Sequence, residues 1–193
     1  MKKMLLLGAL SLLAFSNVQA QNTVPTSQMF GKGAVLWNFG ANLPGAYLSP
    51  WGRANRATIP VHTNLEVGIH EFVGVGPSVG LTFIPFTDRG IQYYSQSLYM
   101  GVRMSVHLSG LIEELAGGDL GLDNIDLYFA ATPGMRVSYV RNVDPALYPT
   151  EVRLNGGANL GLRYYLNQSL GLYVEGGFGW QGFAKAGVTV RLK

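Results

Sequence analysis

The chain contains no cysteine. That excludes a disulfide framework, a thiolate metal site and a lipid-modified N-terminal cysteine. Charge is also scarce. Asp, Glu, Lys and Arg make up 13% of the 193 residues, against roughly 25% in ordinary soluble domains. No run of Lys and Arg offers a footprint for phosphates, so nucleic acid is not an expected partner. Long apolar runs are missing as well. The one from Met4 to Phe15 is too short to span a bilayer as a helix. It follows Lys2 and Lys3 and leads to the small residues Val18 and Ala20, the pattern of a secretory signal cut before Gln21. Residues 1–20 are therefore expected to be a signal peptide, and residues 21–193 a single domain. Without the two signal lysines, twelve basic residues face eleven acidic ones, so the basic isoelectric point says nothing about partners.

What is present is a two-residue beat. From 59 to 70 the odd positions are Ile59, Val61, Thr63, Leu65, Val67 and Ile69. The even ones are Pro60, His62, Asn64, Glu66, Gly68 and His70. Such alternation means a β-strand with one apolar and one polar face. The pattern predicts eight strands, at roughly 33–41, 58–72, 76–86, 93–108, 125–140, 151–166, 170–180 and 183–192. A tight turn is expected near Val73-Gly74. Loops rich in Pro, Gly and aromatic residues separate other pairs, notably 43–56 and 141–150. An even strand number puts both termini on the periplasmic side of a bacterial barrel. The connection at 109–124 is long for a periplasmic turn. Within it, Leu111-Ile112-Glu113-Glu114-Leu115 has the makings of one or two helical turns, stopped by Gly117-Gly118.

The polar face decides between a soluble barrel and one in lipid. A soluble surface is roughly 25–35% charged. Here that face is mostly Gly, Ser, Asn and Thr, with scattered Glu66, Arg103, Arg136, Arg153, Arg163, Glu175, Lys185 and Arg191. Small residues opposite long cationic ones suit the interior of a narrow barrel. The expected fold is all-β: an eight-stranded antiparallel up-and-down transmembrane β-barrel in the bacterial outer membrane. Its interior polar network is expected to comprise Glu66, Arg103, Arg136, Arg163, Glu175 and Lys185, with the two glutamates as hubs, because buried charges must be paired. Trp37, Tyr93, Tyr94, Tyr164 and Trp180 lie near strand ends, where interfacial girdles sit.

Two C-terminal stretches carry a resemblance. Gly161-Leu162-Arg163-Tyr164-Tyr165 and Leu170-Gly171-Leu172-Tyr173-Val174-Glu175-Gly176-Gly177 stand in a segment from 151 to 193. Together with Asp126-Leu127-Tyr128-Phe129-Ala130, that segment resembles the small outer-membrane β-barrel family common in Bacteroidetes, akin to the OmpX and OmpA barrel class. The resemblance covers essentially the mature chain. It implies a barrel surrounded by lipopolysaccharide and phospholipid, handled by the barrel-assembly machinery during insertion, and it implies no shared activity. Such barrels often end on an aromatic residue. This chain ends Leu192-Lys193, a departure that bears on recognition by that machinery.

Catalytic and metal-binding patterns are thin. His62, Glu66 and His70 share one strand face, but neighbours four apart on a strand lie about 13 Å apart and cannot grip one ion. His107-Leu108-Ser109 has the His-x-Ser spacing of lipid A deacylases built on eight-stranded barrels. That chemistry needs a serine nucleophile, a histidine base and an orienting carboxylate, on the lipid side, whereas the alternation puts His107 inside. Asp119, Asp123 and Asp126 lack the EF-hand spacing and read as a solvated turn. Gly74-Val75-Gly76 is followed by no helix and is no dinucleotide fingerprint. No metal or cofactor is expected. The expected role is that of a non-enzymatic integral outer-membrane protein, acting structurally or as a subunit of a larger envelope complex. The alternatives are a lipid-modifying enzyme and a narrow channel or small-molecule carrier.

Overall fold

The computed structural model describes residues 30–43, 59–88, 91–117, 122, 124–141, 149–179 and 183–192. The expected signal peptide at 1–20, most of the loop at 43–56, Asp119, Asp123 and Trp180 lie outside the described residues.

Ten strand segments and one helix follow in order: β1 (Val35–Asn42), β2 (Val61–His70), β3 (Val73–Asp88), β4 (Ile91–His107), α1 (Leu108–Ala116), β5 (Ile125–Ala131), β6 (Gly134–Arg141), β7 (Glu151–Asn155), β8 (Gly157–Tyr165), β9 (Leu170–Gly179) and β10 (Ala184–Arg191). β4 pairs with β5 through Met104–His107 and with β6 through Tyr94–Gly101. β5 and β6 are thus one wall strand, interrupted at Thr132-Pro133. β7 and β8 are likewise one, interrupted at Gly156. The ring β1-β2-β3-β4-(β5/β6)-(β7/β8)-β9-β10 closes where β10 pairs with β1. The result is a closed eight-stranded antiparallel barrel in which every strand neighbours its successor. No helix among the described residues is long and apolar enough to cross a membrane; the strands do the spanning.

The interruptions correct two predicted strands, at 125–140 and 151–166. Proline lacks the N–H that a ladder needs, so alternation breaks at Pro133 even though its carbonyl still accepts from Val102 N at 3.0 Å. At the second break the Asn155 side chain turns back to accept from Gly156 N at 2.8 Å. The predicted turn near Val73-Gly74 falls two residues earlier, at Glu71-Phe72, and β3 already begins at Val73. A register shift between Gly68 and His70 absorbs the alternation there. It sends His70 outward and exposed, so it does not share the face of His62 and Glu66 as expected. The helical turns expected at 111–115 belong to a regular helix, α1, ended by Gly117 at a φ of 66°.

The faces are sorted as the alternation implies. Trp37, Phe39, Val79, Leu81, Phe83, Met100, Val102, Met104, Phe129, Leu160, Leu172 and Val174 point outward and are exposed. The buried side chains are largely polar or charged, with Tyr99, Tyr128, Tyr165 and Tyr173 among them. A water-soluble domain does the opposite. An apolar outer belt around a charged interior is the arrangement of a barrel in lipid, where closure leaves no backbone edge to be satisfied by solvent.

Candidate functional site: the charged interior

Two linked tiers of charge fill the lumen. The upper tier centres on Glu175 of β9. Arg103 of β4 reaches across and donates from Nη2 to Oε1 at 2.7 Å and from Nη1 to Oε2 at 3.5 Å. Lys185 of β10 adds its Nζ at 2.7 Å from Oε2. The Tyr128 hydroxyl of β5 donates to Oε1 at 2.8 Å. One carboxylate therefore meets two cations and a phenol coming from three different strands.

The lower tier, nearer the termini, centres on Arg163 of β8. Its Nη1 donates to Asp126 Oδ2 at 2.5 Å, its Nε to Thr189 Oγ1 at 3.0 Å and its Nη2 to Asn38 Oδ1 at 3.3 Å. Glu66 Oε2 lies 3.5 Å from the same Nη2 and 3.8 Å from Arg103 Nε, which joins the tiers. The Tyr128 ring lies beneath both guanidinium groups, 5.4 Å from Arg103 and 4.7 Å from Arg163, within the range of cation–π attraction. All six of these ionised side chains are at most 4% exposed. Glu66, Asp126 and Glu175 balance Arg103, Arg163 and Lys185, which is what makes such burial tolerable.

His107 closes this cluster at the termini end. Its Nδ1 lies 2.8 Å from Asp126 Oδ1 and its Nε2 2.8 Å from Glu66 Oε1. The ring of Phe30 stacks on the imidazole at 3.4 Å between centroids and 9° between planes. Phe30 packs with Ala34 and Leu36 in a small apolar plug. The segment bearing it is held by Gly33 N donating to Gly68 O and by Gly68 N donating to Ala34 O, both at 2.8 Å.

Of the six expected network residues, the structure brings together Glu66, Arg103, Arg163, Glu175 and Lys185. Arg136 stands apart. It lies in register with Tyr99 and Arg153, is half-buried, and its Nε has no hydrogen-bond partner among the described residues. Its place on β6, beyond the Thr132-Pro133 break, puts it above both tiers. Arg153 is exposed and pairs with Glu151. Sequence reasoning missed Asp126, which is no solvated turn residue but the shared partner of His107 and Arg163. It also missed the interior tyrosines. Asp126 occupies the same alternating face as Tyr128 and Ala130, and that was the signal available.

The His107–Ser109 pair that deacylase chemistry would need does not form, and His107 lies inside as the alternation implies. Ser109 Oγ instead accepts from Leu127 N at 2.7 Å. A different serine approaches: Ser105 Oγ lies 3.2 Å from His107 Nε2, and with Asp126 on Nδ1 this outlines a Ser-His-Asp order. Its chemistry fails on two counts. Glu66 Oε1 accepts from both Ser105 Oγ and His107 Nε2, so Nε2 serves as a donor and offers no lone pair to the serine. Both side chains are also sealed inside the barrel, away from any acyl chain. Among the described residues no group of three or more His, Asp and Glu is placed to hold a metal ion.

No protein-family model and no curated protein sequence matches the chain. Solved structures do. Neisserial surface protein A superposes with a TM-score of 0.54 at 11% identity, over 82% of this chain and 94% of that one. The N-terminal β-barrel domain of Pseudomonas aeruginosa OprF gives 0.45 at 16% identity, over 84% and 100%. The outer membrane protein OprG of the same species gives 0.47 at 12% identity, over 85% and 92%. The likeness to the Neisserial protein is one of fold. Joined to the apolar belt and charged lumen of this chain, the closed eight-stranded ring is that of an integral bacterial outer-membrane β-barrel.

Proposed function

We propose that this protein performs no catalysis and acts in the outer membrane structurally or as a subunit of a larger envelope complex. The observation that carries the reading is the filled lumen. Ion pairs run from wall to wall in two tiers, with Phe30 seated beneath them. That arrangement leaves the outer surfaces to do the work.

The far rim supports the same reading. β2 stops pairing with β3 at Leu81, while β3 continues to Asp88 against β4, an extension of about 23 Å at the usual rise per residue. β6 and β7 prolong this wall, and no strand among the described residues covers the outer edge of β7. Its Leu154 is 90% exposed. The kin proposed for it are the small Bacteroidetes-type barrels that its C-terminal segment resembles. Its expected partners are lipopolysaccharide and phospholipid around the belt, the barrel-assembly machinery during insertion, and a further envelope protein.

The test is a mild-detergent pull-down of tagged full-length protein from native membranes. A stoichiometric co-purifying protein is the expected result. A protein recovered alone, together with altered lipid A in a deletion strain, would instead favour the lipid-modifying reading. Bilayer conductance well above background would favour a channel.

A further inference from the structure

Helix α1 turns part of its apolar face outward. Leu108, Leu111, Ile112 and Leu115 fall at the i, i+3, i+4, i+7 spacing of a single helix face. In a water-soluble domain that face would be turned to the core. Here Leu108 and Leu111 are half-buried, but Ile112 is 40% and Leu115 80% exposed, while Ser109 is buried and Glu113 half-buried. One carboxylate oxygen of Glu113 is buried with no hydrogen-bond partner among the described residues. The helix is fastened by its polar side: Ser109 Oγ accepts from Leu127 N at 2.7 Å. Gly110 lies close against Phe72, whose ring would stand 3.2 Å from an added Cβ. The barrel wall shows the same inversion. The helix starts at the residue after β4, whose outward Val102, Met104 and Val106 are all exposed to the lipid side.

We propose that α1 is an interfacial helix, and that Ile112 and Leu115 enter the phospholipid leaflet at the end of the barrel that carries the termini. The bilayer is the occupant that fits because the exposed stripe continues the lipid-facing belt of β4. The long connection after β4 is then an anchor that extends the belt into the headgroup zone. The stripe has no basic flank: within the helix the charged residues are Glu113 and Glu114. Insertion therefore depends on apolar contact and tethering, and zwitterionic phospholipid suffices.

The absence of cysteine permits clean single-site spin labelling. The full mature chain, refolded into zwitterionic phospholipid vesicles, would carry a nitroxide at Leu115→Cys or, as a second site, at Ile112→Cys. Phe129→Cys serves as the lipid-wall reference and Glu71→Cys, in the exposed β2–β3 turn at the same end, as the aqueous one. A heat-modifiable gel shift confirms folding of each. Relaxation by oxygen is expected to exceed relaxation by a water-soluble nickel complex at 115 and 112, as at 129 and opposite to 71. Preference for the nickel complex would overturn the proposal, since the helix would then lie in water. Protection from both reagents would also overturn it, since protein would cover the face.

Discussion

Glu175→Gln removes the carboxylate that Arg103 and Lys185 share. The carboxylate holds Arg103 through two contacts, Lys185 at 2.7 Å and the Tyr128 hydroxyl at 2.8 Å, with the charged partners at most 4% exposed. A glutamine keeps the size but offers a single acceptor oxygen and turns an N–H₂ toward a cation. Breaking a buried pair by removing one partner costs about 3–5 kcal/mol. With two cations on one carboxylate the loss should be at least about 3 kcal/mol, roughly a hundredfold in the folding constant. The assay is reversible urea unfolding in phospholipid vesicles, followed by the fluorescence of the three tryptophans. Adding Lys185→Met to Glu175→Gln should recover part of the loss. Adding Arg103→Met as well should not recover more, because Glu66 then loses its contact with Arg103 while Glu66 and Asp126 stay buried. An unchanged midpoint for Glu175→Gln would refute the reasoning.

Gly161→Ala should cost about 1–3 kcal/mol in the same unfolding assay, because an added Cβ would intrude on the Tyr128 ring and push it away from the two guanidinium groups. Phe30→Ala should lose about 1 kcal/mol of stacking on His107. Its bilayer conductance should stay at background, because the charged tiers still fill the lumen; a conductance step would show that Phe30 alone is the seal. Arg153→Ala removes the exposed pair with Glu151 and should change stability by less than about 1 kcal/mol.

Alternation is a local property, so the chain reveals its strands and their faces without any knowledge of what pairs with what. The inward positions of Glu66, Arg103, Arg163, Glu175 and Lys185, and the outward Val102, Met104 and Val106, are all readable by counting in twos. Composition adds the solvent: with so few charges on the polar face, that face has to be the inside. Partners are another matter. Asp126 and Arg163 face each other because β5 and β8 align in one register, and Glu175 meets Arg103 across the lumen, 72 residues away in sequence. Neither the register nor the stagger of a closed ring is written in any one strand. The same holds for Phe30, which lies before the alternation begins and gains its meaning only when the segment folds under His107. It holds too for α1, whose apolar stripe is visible in the sequence but whose outward aim is set by Ser109 fastening to β5. The sequence by itself thus determined the strands, their two faces and the lipid surroundings, since these rest on a period and a composition. Tertiary structure alone decided which charges pair, what closes the lumen and which side of the helix is left to the membrane, since these depend on ring closure bringing distant strands into contact.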